Sequence, residues 1–264
     1  MAHQGHATSE TNAMSRVGLV MMAKGNPECG APGGRRAATG ARRRVIFPDG
    51  RTTPRRAATE KALQIVCLDL EGVLVPEIWI EFSKRTGIPE LSRTTRDEPD
   101  YDKLMRFRLD LLERRNLGLP DIQAVIKGMG PMPGARDFLD ELRSRFQVVI
   151  LSDTFYEFAK PLMEQLGMPT LFCHRLEVDE AGFVRNYHLR MPDQKRAAVN
   201  AFRALNFKVI AAGDSYNDTA MLGAAHAGIF FRPPESITGE FPQFSVTREY
   251  RELIAAIGEA SGRI

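Results

Sequence analysis

The sequence predicts an α/β fold, a Rossmann-like parallel sheet with helices on both faces. Two observations carry this. Three short apolar runs, 65–68, 148–151 and 209–212, lead into Asp69, Ser152 and Asp214. Runs of this length closed by turn signals read as fully buried parallel strands. The stretches between them have helical periodicity, and strands alternating with helices imply a parallel sheet covered on both sides.

In chain order, the first strand ends in Asp69, followed by Glu71 and by Gly72 for a tight turn. Ligands of open α/β sheets bind at the carboxyl ends of the strands, so chemistry is expected here. Two carboxylates two residues apart could share a divalent cation and a phosphate, or be two solvated acids at an ordinary strand end. Residues 76–86 read as a helix: Pro76 fits its first turn, Ile78, Trp79 and Phe82 make an apolar face, and Gly87 stops it. Residues 88–99 are a polar connection. Residues 101–116 are helical through Leu104, Phe107, Leu111 and Leu112, and 120–129 form a second helix with Asp121 near its positive end. These helices form an insertion before the second strand.

A helix over 134–145 then leads into the strand 147–151, and a helix over 155–166 stops at Gly167. Residues 170–177 and 183–190 flank a Gly182-bearing loop and read as a β-hairpin. A helix over 193–205 follows, with Asp193 as its cap. A strand over 207–212, a helix over 217–225, a short strand over 228–231 and a closing helix over 248–260 complete the series.

Composition excludes several classes. No apolar run approaches a membrane span. Cys29, Cys67 and Cys173 are odd in number and match no metal spacing, so a disulfide framework is disfavoured and a reducing cytoplasm fits. The net charge of +3 is uneven: residues 1–61 hold 11 Lys/Arg and 4 Asp/Glu, the remainder 25 and 29. The mildly acidic remainder does not call for a nucleic-acid partner. Residues 1–62, with Arg42, Arg43 and Arg44, have no core-forming pattern and read as a disordered, dispensable basic leader. A transit peptide or a nucleic-acid arm are the alternatives for it.

Asp69/Glu71, Ser152, Lys195 and Asp214/Asp218 occur in the order in which the haloacid dehalogenase superfamily of aspartyl-phosphate phosphatases carries its four motifs. From about residue 64 to the end, the chain resembles that family. Glu71, Ser152-Asp153-Thr154, the stretch 213–218 and Pro76-Glu77-Ile78-Trp79-Ile80 narrow the resemblance to its phosphoserine phosphatases that also transfer phosphate to homoserine.

The resemblance implies a core over 63–81 and 134–264, with a small helical cap over about 82–133. It implies Asp69 as nucleophile and Glu71 as general acid and base. Mg²⁺ would be held by Asp69, Asp214 and the backbone carbonyl of Glu71, with Asp218 steadying the cluster. Lys195, Ser152 and Asp153, the last through its N–H, would meet the phosphate. Glu77 would meet the substrate ammonium, Arg108 its carboxylate, and Asn217 is a further substrate contact. Spacing alone leaves Glu77 and Arg108 open as solvated helix charges, with Arg106 and Arg96 as alternatives. Val73 stands where the family usually has Thr, removing a hydroxyl that would fix the loop. His174, His188 and His226 match no metal spacing and read as satisfied core or surface residues.

Overall fold

The computed structural model describes residues 63–95 and 97–262. The leader over 1–62 and Arg96 lie outside the described residues. The chain forms β1 (Gln64–Leu68), α1 (Ile78–Thr86), α2 (Tyr101–Arg114), α3 (Leu119–Met129), α4 (Ala135–Arg145), β2 (Gln147–Phe155), α5 (Tyr156–Gln165), β3 (Leu171–Val178) and β4 (Val184–His188). It continues with α6 (Gln194–Ala204), β5 (Lys208–Gly213), α7 (Thr219–Ala224), β6 (Ala227–Phe231), α8 (Glu235–Glu240), β7 (Ser245–Thr247) and α9 (Tyr250–Ser261). No helix among the described residues is long and apolar enough to cross a membrane.

The sheet order is β4-β3-β2-β1-β5-β6-β7, parallel except for the antiparallel pair β3 and β4. All five residues of central β1 are buried. Alternation along the strands divides the core in two. Val66, Leu68, Ile150 and Ile210 face α4, α5 and α9 through Phe138, Leu162 and Leu253. Ile65, Cys67, Val149 and Val209 face α6, α7 and α8 through Val199, Leu222 and Ile237. The expected coverage of both sheet faces is therefore present.

Several local expectations are corrected. α1 starts at Ile78 with Glu77 as its N-cap residue, so Pro76 precedes the helix. The polar connection over 88–99 contains a 3-10 turn, Pro89–Ser92. β2 runs four residues beyond 151, through a register irregularity between Leu151 and Phe155. Asp193 occupies the N-cap position of α6 at φ 46° but makes no side-chain capping bond; its carboxylate pairs with Arg196. The helix expected over 217–225 is a 3-10 turn, Tyr216–Asp218, leading into α7. α8 and β7 fall where no element was expected.

The turn after β1 is tied down without the missing hydroxyl. Val73 is buried, and its carbonyl accepts the Tyr250 hydroxyl of α9 at 2.6 Å. The N–H groups of Leu74 and Val75 both reach the Leu70 carbonyl. Tyr250 is itself stacked between Phe138 and Phe231. The closing helix thus fixes the loop that carries Glu71.

Candidate active site

The carboxyl ends of β1, β2 and β5 and the start of α6 converge on an acidic centre. Asp69 follows β1 directly, and its N–H continues the ladder to the Ala212 carbonyl of β5 at 2.9 Å. The residue is 5% exposed, with Oδ1 accepting the Leu70 N–H. Lys195, equally buried at the second position of α6, stands 2.9 Å from Asp69 Oδ1 and 2.8 Å from Asp218 Oδ1. Burial pulls the Lys195 pKa down, but Asp218, Asp69 and Asp153 outweigh it and hold the ammonium charged.

Carboxylate oxygens of Asp69, Asp214 and Asp218 lie within 4.8 Å of one another. Burial and the charges of Asp218 and Asp214 hold the Asp69 pKa well above the usual carboxylate range, despite Lys195. Burial, Asp218 and Glu77 push Asp214 up to about 8. One ammonium does not balance the buried Asp69 and Asp218 and the half-buried Asp214, and the donors are all hard oxygens. The residues therefore fit a hard divalent cation. Asp218 is already engaged through both oxygens, by Lys195 on one side and by the N–H groups of Asp214 and Ser215 on the other.

Glu71 Oε1 accepts the Ile78 N–H at 2.8 Å. It thereby satisfies the first N–H of α1, which the N-cap residue Glu77 does not cap. Burial and the Glu77 charge push Glu71 up to about 7, against the Ile78 N–H, Lys195 and Arg108. A carboxyl in that range can hold or release a proton near neutrality.

Ser152 is buried within β2, and its Oγ accepts the Thr154 N–H at 3.2 Å. Asp153 is half exposed, with Oδ2 3.8 Å from Lys195 and Oδ1 3.6 Å from His174 Nε2. Glu77 and Asn217 line one cleft of ≈ 350 Å³ with Ile80, Thr94, Thr95, Ser215 and Tyr216.

Arg108 does not line that cleft. It is 6% exposed, with its guanidinium 4.4 Å over the Trp79 ring and Nη2 donating to the Arg93 carbonyl at 2.6 Å. Its Nε has no partner among the described residues, nor has the side chain any carboxylate within ion-pair distance there. Burial lowers its pKa to about 10, with Tyr101, Glu71 and Glu77 working the other way, so the charge persists at neutral pH. Arg106 is exposed and engaged with Asp102 and Asn186.

His188 meets Glu177 at the surface, and His226 Nδ1 accepts the Val209 N–H. Three neighbours had no site role in the sequence reading: Gln194, beside Asp153; His174, read as a satisfied core or surface histidine and found beside Asp153; and Trp79, read as apolar helix face and found as the platform under Arg108. Adjacency to Lys195 was the available signal for Gln194. His174 had none, because its place depends on the pairing of β3.

Residues 63–226 match the family described as haloacid dehalogenase-like hydrolase. A protein named phosphoserine phosphatase ThrH from Pseudomonas aeruginosa is 58% identical over 201 residues, 76% of this chain and 98% of that one. A phosphoserine phosphatase from Pseudomonas syringae pv. tomato is 58% identical over 207 residues, 78% of this chain and 87% of that one. Among solved structures, a phospho-aspartyl intermediate analogue of phosphoserine phosphatase superposes with TM-score 0.61 at 20% identity, covering 74% of this chain and 99% of that one. An apo phosphoserine phosphatase superposes with TM-score 0.60 at 21% identity, covering 73% and 98%.

Proposed function

The chain belongs to the haloacid dehalogenase-like hydrolase family, and from that premise we propose that it hydrolyses O-phospho-L-serine and can pass the phosphoryl group to homoserine. The observation that carries this reading is the pairing of two features. Asp69, ion-paired to Lys195, lies within an oxygen-only acidic cluster. Nearby, Arg108 is a buried cation that feels Glu71 and Glu77 but has no carboxylate within ion-pair distance among the described residues, and its Nε has no hydrogen-bond partner there. The first suits a phosphate ester and the second suits the carboxylate of an amino acid. The names of the two Pseudomonas relatives support the same substrate.

In this mechanism Asp69 attacks phosphorus, forming a carboxyl O–P bond as the bond from phosphorus to the serine oxygen breaks. Glu71 gives its proton to the departing serine oxygen. It then takes a proton from the water or homoserine hydroxyl that attacks the aspartyl-phosphate, which restores Asp69. Lys195, the Ser152 hydroxyl and the Asp153 N–H hold the phosphoryl oxygens. Glu77 and Arg108 orient the ammonium and carboxylate of serine or homoserine, with Asn217 beside Glu77. The helices over about 82–133 act as a cap that limits water. Asp69, Asp214 and the Glu71 carbonyl would hold Mg²⁺, and Asp218 keeps the Asp214 loop in register. The cation, when bound, supplies the positive charge that lets a carboxylate approach a phosphate dianion.

A panel of phosphomonoesters assayed for released phosphate, with Mg²⁺ and after chelation, tests this. Phosphoserine is expected to lead the panel, with activity lost on chelation and regained with Mg²⁺. A different preferred ester would reassign the substrate, and full activity in metal-free buffer would remove the cation from the mechanism.

A further inference from the structure

We infer that His174 and Gln194 are positioning residues that hold the Asp153 carboxylate away from the phosphate site, leaving Lys195 one N–H for the phosphoryl group. This rests on the phosphate site proposed above and adds two residues to it.

A lysine ammonium has three N–H groups. Those of Lys195 meet Asp69 at 2.9 Å and Asp218 at 2.8 Å, while Asp153 Oδ2 stands off at 3.8 Å, beyond hydrogen-bond length. Asp153 is 46% exposed and has room to move. If its carboxylate closed on Lys195, it would take the third N–H and set a second negative charge against the phosphate.

Two buried groups oppose that movement. Gln194 Nε2 donates to Asp153 Oδ1 at 3.2 Å and to the Ser152 carbonyl, and the two acceptors fix which end of the amide faces them. His174 Nδ1 accepts the Arg190 N–H at 3.1 Å, so Nε2 carries the ring proton and faces Asp153 Oδ1 at 3.6 Å. Gln194 donates a hydrogen bond to Oδ1, and the His174 N–H attracts the same oxygen from just beyond hydrogen-bond length, while Lys195 faces the other oxygen, Oδ2. Gln194 also precedes Lys195 in α6, so one helix start sets the position of both.

The test uses the full chain with Mg²⁺, with inorganic phosphate as a competitive inhibitor of phosphoserine cleavage. His174→Leu is expected to weaken phosphate about tenfold or more and to raise KM more than it lowers kcat. His174→Gln, which keeps an N–H donor, should stay within about threefold of wild type by the same conversion. The double variant His174→Leu/Asp153→Asn should return to within about threefold of Asp153→Asn alone, because the neutral amide no longer repels phosphate. A general packing defect would not be relieved in this way. Unchanged phosphate affinity in His174→Leu, or a loss that persists in the double variant, overturns the inference. If His174→Leu melts below the assay temperature, Gln194→Met with the same Asp153→Asn rescue decides it. Wild-type enzyme that cleaves phosphoserine but shows no change in the variants sinks only this inference. Wild-type enzyme that binds no phosphate sinks the phosphate site and the inference together.

Discussion

A Cβ atom placed on Gly72 would stand 2.3 Å from Asp214 Oδ2. The turn after β1 and the loop after β5 therefore touch across a missing side chain. That closeness lets the acids of two strands share one centre. Gly72 also has φ +74°, a conformation that other L-residues rarely adopt. The same device recurs one strand away, where a Cβ on Gly213 would meet the Asp218 carboxyl carbon at 2.4 Å.

Gly72→Ala is expected to lower kcat by about 10²-fold, since displacing a reacting group by about 1 Å costs that much. The Mg²⁺ requirement should rise with it. The backbone alone costs about 1–2 kcal/mol. Gly87→Ala is the control: its φ is +67°, but its Cβ would meet nothing within 4 Å. Melting temperatures should fall similarly in both variants, with activity lost only in Gly72→Ala. Equal activities in the two would mean that Asp214 does not need this close approach.

Asp69→Asn is expected to drop turnover below about a thousandth of wild type, because it removes the proposed nucleophile. Its stability should move the other way. Burial and the neighbouring acids raise the folded pKa of Asp69 above its unfolded value, so the folded state disfavours the charged form at neutral pH. In chelator, Asp69→Asn should therefore melt no lower than wild type. A folded variant with near-normal turnover would end the covalent mechanism, and a large drop in melting temperature would mean that the Lys195 pair dominates the cluster.

The strands that carry the acidic centre were legible because central parallel strands are uninterrupted apolar runs, and Asp69 and Asp214 follow from where β1 and β5 stop. The extension of β2 was not legible, because Ser152, Asp153 and Thr154 break the apolar run while the backbone stays extended. β7 has three residues and α8 six, too few to establish a period. Arg108 did carry a signal. It lies four residues after Leu104 and four before Leu112, on the buried stripe of α2, whereas Arg106 is out of phase. Around Asp153, Gln194 was signalled only by its adjacency to Lys195, and His174 by nothing local, since β3 reaches that point only through its pairing with β2.

Arg108→Ala should weaken phosphoserine far more than phosphoethanolamine, which lacks the carboxylate. A truncated buried charge pair costs about 2–5 kcal/mol, or roughly 30-fold to several thousandfold in kcat/KM. Trp79→Leu, which removes the ring beneath the guanidinium, should produce a smaller loss of the same selectivity. Parallel losses on both esters in Arg108→Ala would take Arg108 out of the carboxylate site.

Water and homoserine are the competing acceptors in the proposed reaction. An aspartyl-phosphate accepts any hydroxyl held in line with its proton near a carboxylate. Homoserine has the ammonium and carboxylate of serine, with its hydroxyl one methylene further out. Glu71 is one methylene longer than an aspartate, so its carboxyl can meet a hydroxyl displaced in that way. The length has a second use, because Glu71 Oε1 must also reach the Ile78 N–H at the start of α1. Glu71→Asp shortens both reaches at once. It is expected to shift the products from phosphohomoserine toward free phosphate, and to destabilise the fold by about 1 kcal/mol through the lost helix-end bond. Glu71→Gln keeps the length and the Ile78 contact but cannot shuttle the proton. It should keep wild-type melting while losing turnover to both acceptors. Phosphorus NMR over a range of homoserine concentrations reads the partition, and thermal melting reads the cap. Absence of phosphohomoserine at saturating homoserine in the wild type would leave a plain phosphatase. An unchanged partition in Glu71→Asp, alongside the lower melting temperature, would assign the extra methylene to the helix and not to the acceptor.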